Sequence, residues 1–137
     1  MKLFVDTWGW VALEDGMDPQ HKAAAKCYKD AAGAGRYIFT SDFVLDETFT
    51  LLFKRRPFEE ASRFARGLLK SEFIAVEAVS PKHFQKAFDL RHTFRDKPGI
   101  SFTDLTSMAI MQHHKITGVL TGDRHFVQVG LGFHLLP

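Results

Sequence analysis

Apolar positions fall along this chain in short runs separated by stretches with helical spacing. Leu3-Phe4-Val5 is a run that stops at Asp6, and an aromatic-rich segment from Thr7 to Leu13 follows it with the pattern of a helix. Gly16, Asp18 and Pro19 break that segment, and the Ala- and Lys-rich stretch from His21 to Ala32 predicts a second helix ended by Gly33 and Gly35. Tyr37 to Thr40 reads as a strand. Ser41 or Asp42 then caps a helix that carries Val44, Leu45, Thr48, Leu51 and Leu52 and stops before Pro57. Pro57 suits the first turn of another helix, with Glu59 and Glu60 near its positive end. Phe73 to Val76 is a third strand, Pro81 opens a helix with Phe84, Ala87, Phe88 and Arg91, and Asp96-Lys97-Pro98-Gly99 is a turn. A helix from Thr103 to His113, a buried-type strand from Gly118 to Thr121 and a weak last strand from Gly132 to Leu135 close the chain. Short apolar strands alternating with helices predict an α/β sandwich around a mainly parallel sheet of four to five strands.

Length makes this one domain over residues 1–137, and 45% hydrophobic with 25% charged residues is ordinary globular composition. A net charge of +2 permits a nucleic-acid partner without requiring one. Cys27 is the only cysteine, which excludes an intrachain disulfide and a thiolate metal cluster. No apolar run is long enough for a signal peptide or a membrane span, so a reducing cytoplasm is the expected compartment.

The chemistry lies in the acids. In open α/β sheets functional groups collect beyond the carboxyl ends of strands. Asp6 follows the first predicted strand, Asp123 follows the fourth, and Asp104 sits in the first turn of its helix. Glu47 is mid-helix, with Phe43, Val44 and Leu51 at i−4, i−3 and i+4, which predicts a carboxylate directed at buried surface; Asp46 should face solvent. Two carboxylates about 4 Å apart repel by roughly 4 kcal/mol at an effective dielectric of 20. Such a cluster takes up protons or holds a cation. With oxygen ligands, no Cys and no convergent His, magnesium or manganese is the expected ion. Each acid also has a plainer reading: Asp6 as a helix cap, Asp104 as an acid favoured by the helix dipole, Asp123 as a turn residue and Glu47 as half of a surface ion pair.

The flanks of these acids carry a resemblance. Leu3-Phe4-Val5-Asp6-Thr7 resembles the opening of PIN domains, Thr40-Ser41-Asp42-Phe43-Val44-Leu45-Asp46-Glu47 their second motif, Ser101-Phe102-Thr103-Asp104-Leu105-Thr106-Ser107-Met108-Ala109 their third, and Leu120-Thr121-Gly122-Asp123-Arg124-His125-Phe126 their fourth. The motifs occur in family order over nearly the whole chain, at the length of the VapC toxin branch. The resemblance implies a PIN-like α/β/α sandwich and a Mg2+- or Mn2+-dependent endoribonuclease. Asp6, Glu47, Asp104 and Asp123 would be its catalytic, metal-holding residues, and Thr7, Thr103 and Thr121 candidate donors that orient them. It further implies RNA as substrate, a homodimer and a small antitoxin partner. The other class of function is a catalytically inactive PIN-like module that binds RNA or protein.

Among the remaining residues, Lys54-Arg55-Arg56, Arg63, Arg66, Lys70, Arg124 and His125 are candidates for RNA contact, although cations also favour helix ends. His113 and His114 point about 100° apart on a helix and suit a capping role better than a shared metal. The 14 phenylalanines and the Trp8 and Trp10 pair read mostly as core, with Phe53, Phe58 and Phe64 placed where antitoxins of this family dock.

Overall fold

The structure is a computed structural model that describes residues 2–35 and 37–137. Its strands are β1 (Leu3–Val5), β2 (Ile38–Ser41), β3 (Ile74–Glu77), β4 (Gly118–Leu120) and β5 (His134–Leu136). The helices are α1 (Thr7–Glu14), α2 (His21–Gly33), α3 (Asp42–Arg55), α4 (Phe58–Lys70), α5 (Pro81–Thr93), α6 (Phe102–His114) and α7 (His125–Gln128). The strands form one sheet in the order β3-β2-β1-β4-β5, and every pairing is parallel. The expected sandwich is therefore present with a wholly parallel sheet.

Parallel neighbours need crossover connections, and these are right-handed in nearly all proteins. The chain steps from β1 to β2 to β3 in one direction and then jumps back across the sheet to β4. Right-handed crossovers consequently set α1–α4 on one face and α5–α6 on the other. Side chains alternate along β2 accordingly: the Phe39 ring meets His114 of α6, while Thr40 Oγ1 accepts from Trp10 Nε1 of α1 at 3.0 Å. Thr40 also donates to the Val5 carbonyl at 3.0 Å, so one buried hydroxyl ties β2, β1 and α1 together. Val5, Leu105, Met108, Ile110, Val119 and Phe126 are fully buried along the central strands, α6 and α7.

Helix boundaries follow local chemistry. Ser41, rather than Asp42, caps α3, its Oγ accepting from the Val44 amide at 3.1 Å. Ser80 and His83 form a capping box ahead of Pro81, and Ser101 caps α6 by accepting from the Asp104 amide at 3.0 Å. The Arg91 guanidinium donates to the carbonyls of Phe94, Lys97 and Ile100, each at 2.7 Å, and so fixes the loop that delivers Ser101 and Asp104.

Several elements differ from expectation. The last strand begins at His134, and Gly132, expected to open it, has φ +87, outside the extended backbone of a regular strand. A short α7 follows Asp123, in a stretch to which the sequence reading assigned no element. Phe73, expected inside the third strand, precedes it and is 68% exposed. Among the described residues no helix is long and apolar enough to cross a membrane.

Gly9 lets α1 lie directly on the sheet. A Cβ there would stand 2.6 Å from the Leu120 carbonyl oxygen and 2.9 Å from Val5 Cγ1. Backbone on one side leaves little room to relax, so Gly9→Ala should cost about 1–3 kcal/mol of unfolding free energy. Urea denaturation measures this as a lowered midpoint with an unchanged m value.

Candidate functional site

The reversal of chain direction across the sheet opens a crevice at the carboxyl ends of β1 and β4. Asp6 leaves β1 there and Asp123 follows β4. The Ser101 cap brings the first turn of α6, with Asp104, to the same rim, and α3 contributes Glu47 from the side. All four acids line one cavity of about 490 Å³, together with Trp8, Val11, Leu51 and Arg55 among others.

Asp6 and Asp104 are buried, at 5% and 8% exposure. Asp6 stands at the N-cap of α1, yet its side chain makes no capping bond; its Oδ2 accepts from Thr121 Oγ1 at 3.0 Å instead. The plain helix-cap reading of Asp6 therefore fails. Thr121 Oγ1 in turn accepts from the Asp123 amide at 3.0 Å, which links the first and last acids through one hydroxyl. Asp123 Oδ1 accepts from the His125 amide at 2.9 Å, so Asp123 does also organise a turn.

Burial is the main force on both deep carboxyls. It pushes Asp6 up to about 6, with the charges of Glu47 and Asp123 adding to the rise and the Thr7 amide and Thr121 hydroxyl opposing it. Asp104 is pushed up to about 8, by burial first and then by the Asp6 charge, a hydrogen bond to Asp123 and the charges of Asp123 and Glu47. Among the described residues no Lys or Arg forms an ion pair with Asp6, Asp104, Glu47 or Asp123. The four acids thus feel one another, and Arg55, on the wall of the same cavity, is ion-paired with none of them.

Several details depart from the sequence reading. Glu47 lines the cavity but is exposed, not buried, because the core face of α3 is Val44, Leu45, Thr48 and Leu52. Its neighbours Phe43 and Leu51 are themselves only half-buried, so they mark the edge of the apolar face. The Thr7 hydroxyl turns toward α3, where it accepts from Thr48 Oγ1 at 3.2 Å, and the residue serves Asp6 through its backbone amide alone. The expectation that no His converges is also overturned. Acid oxygens of Asp104 and Asp123 and a ring nitrogen of His125 lie within 4.8 Å of one another, and His125 Nδ1 is 3.0 Å from Asp123 Oδ1. That nitrogen is buried. Two adjacent cations separate in role: Arg55 lines the cavity, whereas Arg56 is taken up by Glu14 at 3.1 Å and Glu60 at 2.7 Å.

Sequence and structure comparisons agree with this geometry. The family model described as PIN domain matches residues 3–131. The 23S rRNA-specific endonuclease VapC20 of Mycobacterium tuberculosis is 33% identical over 130 residues, covering 93% of this chain and 94% of that protein. The crystal structure of that protein, described as a Sarcin-Ricin loop cleaving toxin, superposes with a TM-score of 0.79 at 30% identity, over 93% of this chain and 95% of the other. VapBC2 from Rickettsia felis, bound to a promoter DNA fragment, superposes with a TM-score of 0.76 over 98% and 97% of the two chains; at 18% identity it speaks to the fold alone.

The raised carboxyl pKa values make stability depend on pH. Above about pH 4 the unfolded chain has released the Asp6 and Asp104 protons while the folded chain still holds them. In EDTA, stability should therefore fall as pH rises from about 4 to about 8, with Asp6 alone contributing about 3 kcal/mol of that loss. Asp104→Asn should flatten the upper part of the profile and melt higher than wild type at pH 8. Thermal denaturation across this range, for both proteins, measures the difference.

Proposed function

The chain belongs to the PIN-domain family, and from that premise we propose that it is a cytoplasmic, divalent-metal-dependent endoribonuclease, the toxin of a toxin–antitoxin pair. The observation that carries this reading is the pair of buried carboxyls, Asp6 and Asp104, sharing a cavity with Glu47 and Asp123, where among the described residues no Lys or Arg forms an ion pair with any of the four. Uncompensated charge of this kind fits a divalent ion: the donors are mostly carboxylate oxygens, which suits magnesium or manganese. The nearby His125 nitrogen adds a donor that magnesium uses less readily than manganese does. Asp6, Glu47, Asp104 and Asp123 would hold the ion. When bound, such an ion supplies an activated water and neutralises charge on the phosphate under attack.

The chain's own groups prepare that chemistry. Thr121 keeps the Asp6 carboxylate turned into the cavity, and its acceptance from the Asp123 amide keeps the fourth acid beside it. Ser101 and Arg91 hold the first turn of α6 so that Asp104 enters already oriented. Protons carried by Asp6 and Asp104 leave as the carboxylates take up their ligand, so occupancy rises with pH. Arg55, at the cavity wall, offers a positive charge to the RNA backbone beside an otherwise acidic site.

Given the activity of the relative that is 33% identical, ribosomal RNA is the first substrate to test. A small antitoxin would be the protein partner. The Phe53 and Phe58 rings, 5.3 Å apart and 42% and 66% exposed at the junction of α3 and α4, provide an apolar surface for it. Phe84 and Phe88, one turn apart and exposed on α5, provide an apolar face for a second copy of the chain.

Purified protein with Mn2+ or Mg2+ should cleave ribosomal RNA, and EDTA should stop it. Asp6→Asn and Asp104→Asn should each abolish cleavage and growth arrest while melting no lower than wild type in EDTA. Metal-independent cleavage, or full activity in either variant, would overturn the assignment. Thr121→Val leaves all four acids in place but frees Asp6; it should lower metal affinity or activity by about 10–100-fold, read by titration with Mn2+.

A further inference from the structure

The sequence placed Trp8 and Trp10 together in the core, but the structure separates them. Trp10 is 2% exposed, and its Nε1 donates to Thr40 Oγ1 at 3.0 Å. Trp8, in the first turn of α1, is only half-buried and lines the cavity that holds the four acids. Among the described residues its Nε1–H has no hydrogen-bond acceptor. A tryptophan placed purely for packing would resemble Trp10, with its ring enclosed and its N–H satisfied.

The Trp8 ring is also held in place by an unusual neighbour. A Cβ built on Gly122 would stand 2.5, 2.6 and 3.0 Å from Trp8 Nε1, Cε2 and Cδ1. Approach in the ring plane along the N–H would leave the two carbons roughly 1 Å farther away than the nitrogen, by the covalent dimensions of the ring. The near-equal distances therefore place Gly122 against a face of the pyrrole ring. No other residue at position 122 leaves the ring where it is. Gly122 lies between Thr121, which holds Asp6, and Asp123, so the indole is keyed to the acids through the chain itself. Val11 and Leu51 extend the apolar wall, and Arg55 adds a cation to the same cavity.

An aromatic wall, a cation and a carboxylate cluster in one cleft match the parts of a nucleotide: base, backbone phosphate and the bond to be cut. We propose that Trp8 is the platform on which a nucleobase beside the scissile phosphate stacks. The proposal rests on the endoribonuclease reading above and deepens it. A base can reach such a platform only when it is free of a continuous helix, so the substrate is an unpaired nucleotide in a loop or bulge rather than uninterrupted duplex RNA.

The test uses the full chain carrying Asp104→Asn, with Mg2+, and two labelled RNAs: a hairpin with a purine-rich loop and a blunt duplex of the same stem. Fluorescence anisotropy reports binding, and tryptophan emission reports stacking. Hairpin binding should quench the emission and protect it from acrylamide, and the duplex should do neither. Trp8→Phe should keep hairpin affinity within about 3-fold but lose the quenching, since only Trp10 then emits. Trp8→Ala should weaken binding about 10-fold or more, and in the protein with intact acids it should raise KM more than it lowers kcat. Hairpin binding with unchanged wild-type Trp8 emission overturns the proposal, and that readout stands even if Trp8→Ala does not fold. Equal quenching by the duplex, or a folded Trp8→Ala that binds as tightly as its parent, overturns it too. If the protein with intact acids still cleaves RNA in those cases, the ribonuclease reading survives alone. If it neither binds nor cleaves RNA, that reading falls and takes the stacking platform with it.

Discussion

Negative charge without a protein counter-ion is the constraint around which this molecule is arranged. Asp6 and Asp104 are removed from water, and burial outweighs every other influence on their ionisation. A buried ionised carboxylate costs several kcal/mol unless something compensates it. The neighbouring groups compensate only in part. Thr121 and the Thr7 amide favour the Asp6 anion, while Glu47 and Asp123 oppose it. Stability is therefore given up at neutral pH to keep these groups together, the pattern expected where function rather than folding selects the residues.

The topology makes such an arrangement attainable. Because the chain reverses direction between β3 and β4, no helix connects β1 directly to its neighbour β4, and the carboxyl ends of the two strands open onto a shared crevice. Asp6, directly after Val5, lines it, and Thr121, directly after Leu120, is buried beside it and donates to Asp6. α6 then arrives by its N-terminus, so that Asp104 enters where the helix dipole favours negative charge. The Arg91 contacts to three loop carbonyls matter here because they join the backbone turns at Lys97 and Ile100 in fixing the α5–α6 connection.

Much of this could be read from the chain before folding. The strand-ending acids are legible because a buried parallel strand is a short apolar run, and a charge that interrupts it lies at its end by necessity. The same reasoning failed at Glu47. Helical neighbours at i−4, i−3 and i+4 locate a face only as well as those neighbours are themselves buried, and Phe43 and Leu51 lie on the margin of the α3 core face. His125 was missed as a convergent group because its approach depends on α7, a helix of one turn whose formation the Asp123 side chain assists by accepting from the His125 amide. Trp8 was missed for a different reason. Its ring sits where it does only because Gly122, more than a hundred positions away, has no side chain, and no local periodicity encodes that contact.

The tripeptide Thr121-Gly122-Asp123 shows how closely these demands are packed. Thr121 must be small enough to stay buried and must carry a hydroxyl, since it both donates to Asp6 and accepts from the Asp123 amide. Valine would fill the same space and satisfy neither partner. Gly122 must lack a side chain because the Trp8 ring occupies that position. Asp123 must be an acid short enough to turn back on the His125 amide while facing Asp104. Each residue is thus fixed by a different partner: Asp6 just after β1, Trp8 in the first turn of α1, and Asp104 of α6 with His125 of α7. A run of three residues with three distant and independent requirements is not explained by turn formation, which Asn, Ser or Gly would serve as well at the third position. It is explained by a site that needs its charge, its orienting hydroxyl and its aromatic wall within one chain segment of each other.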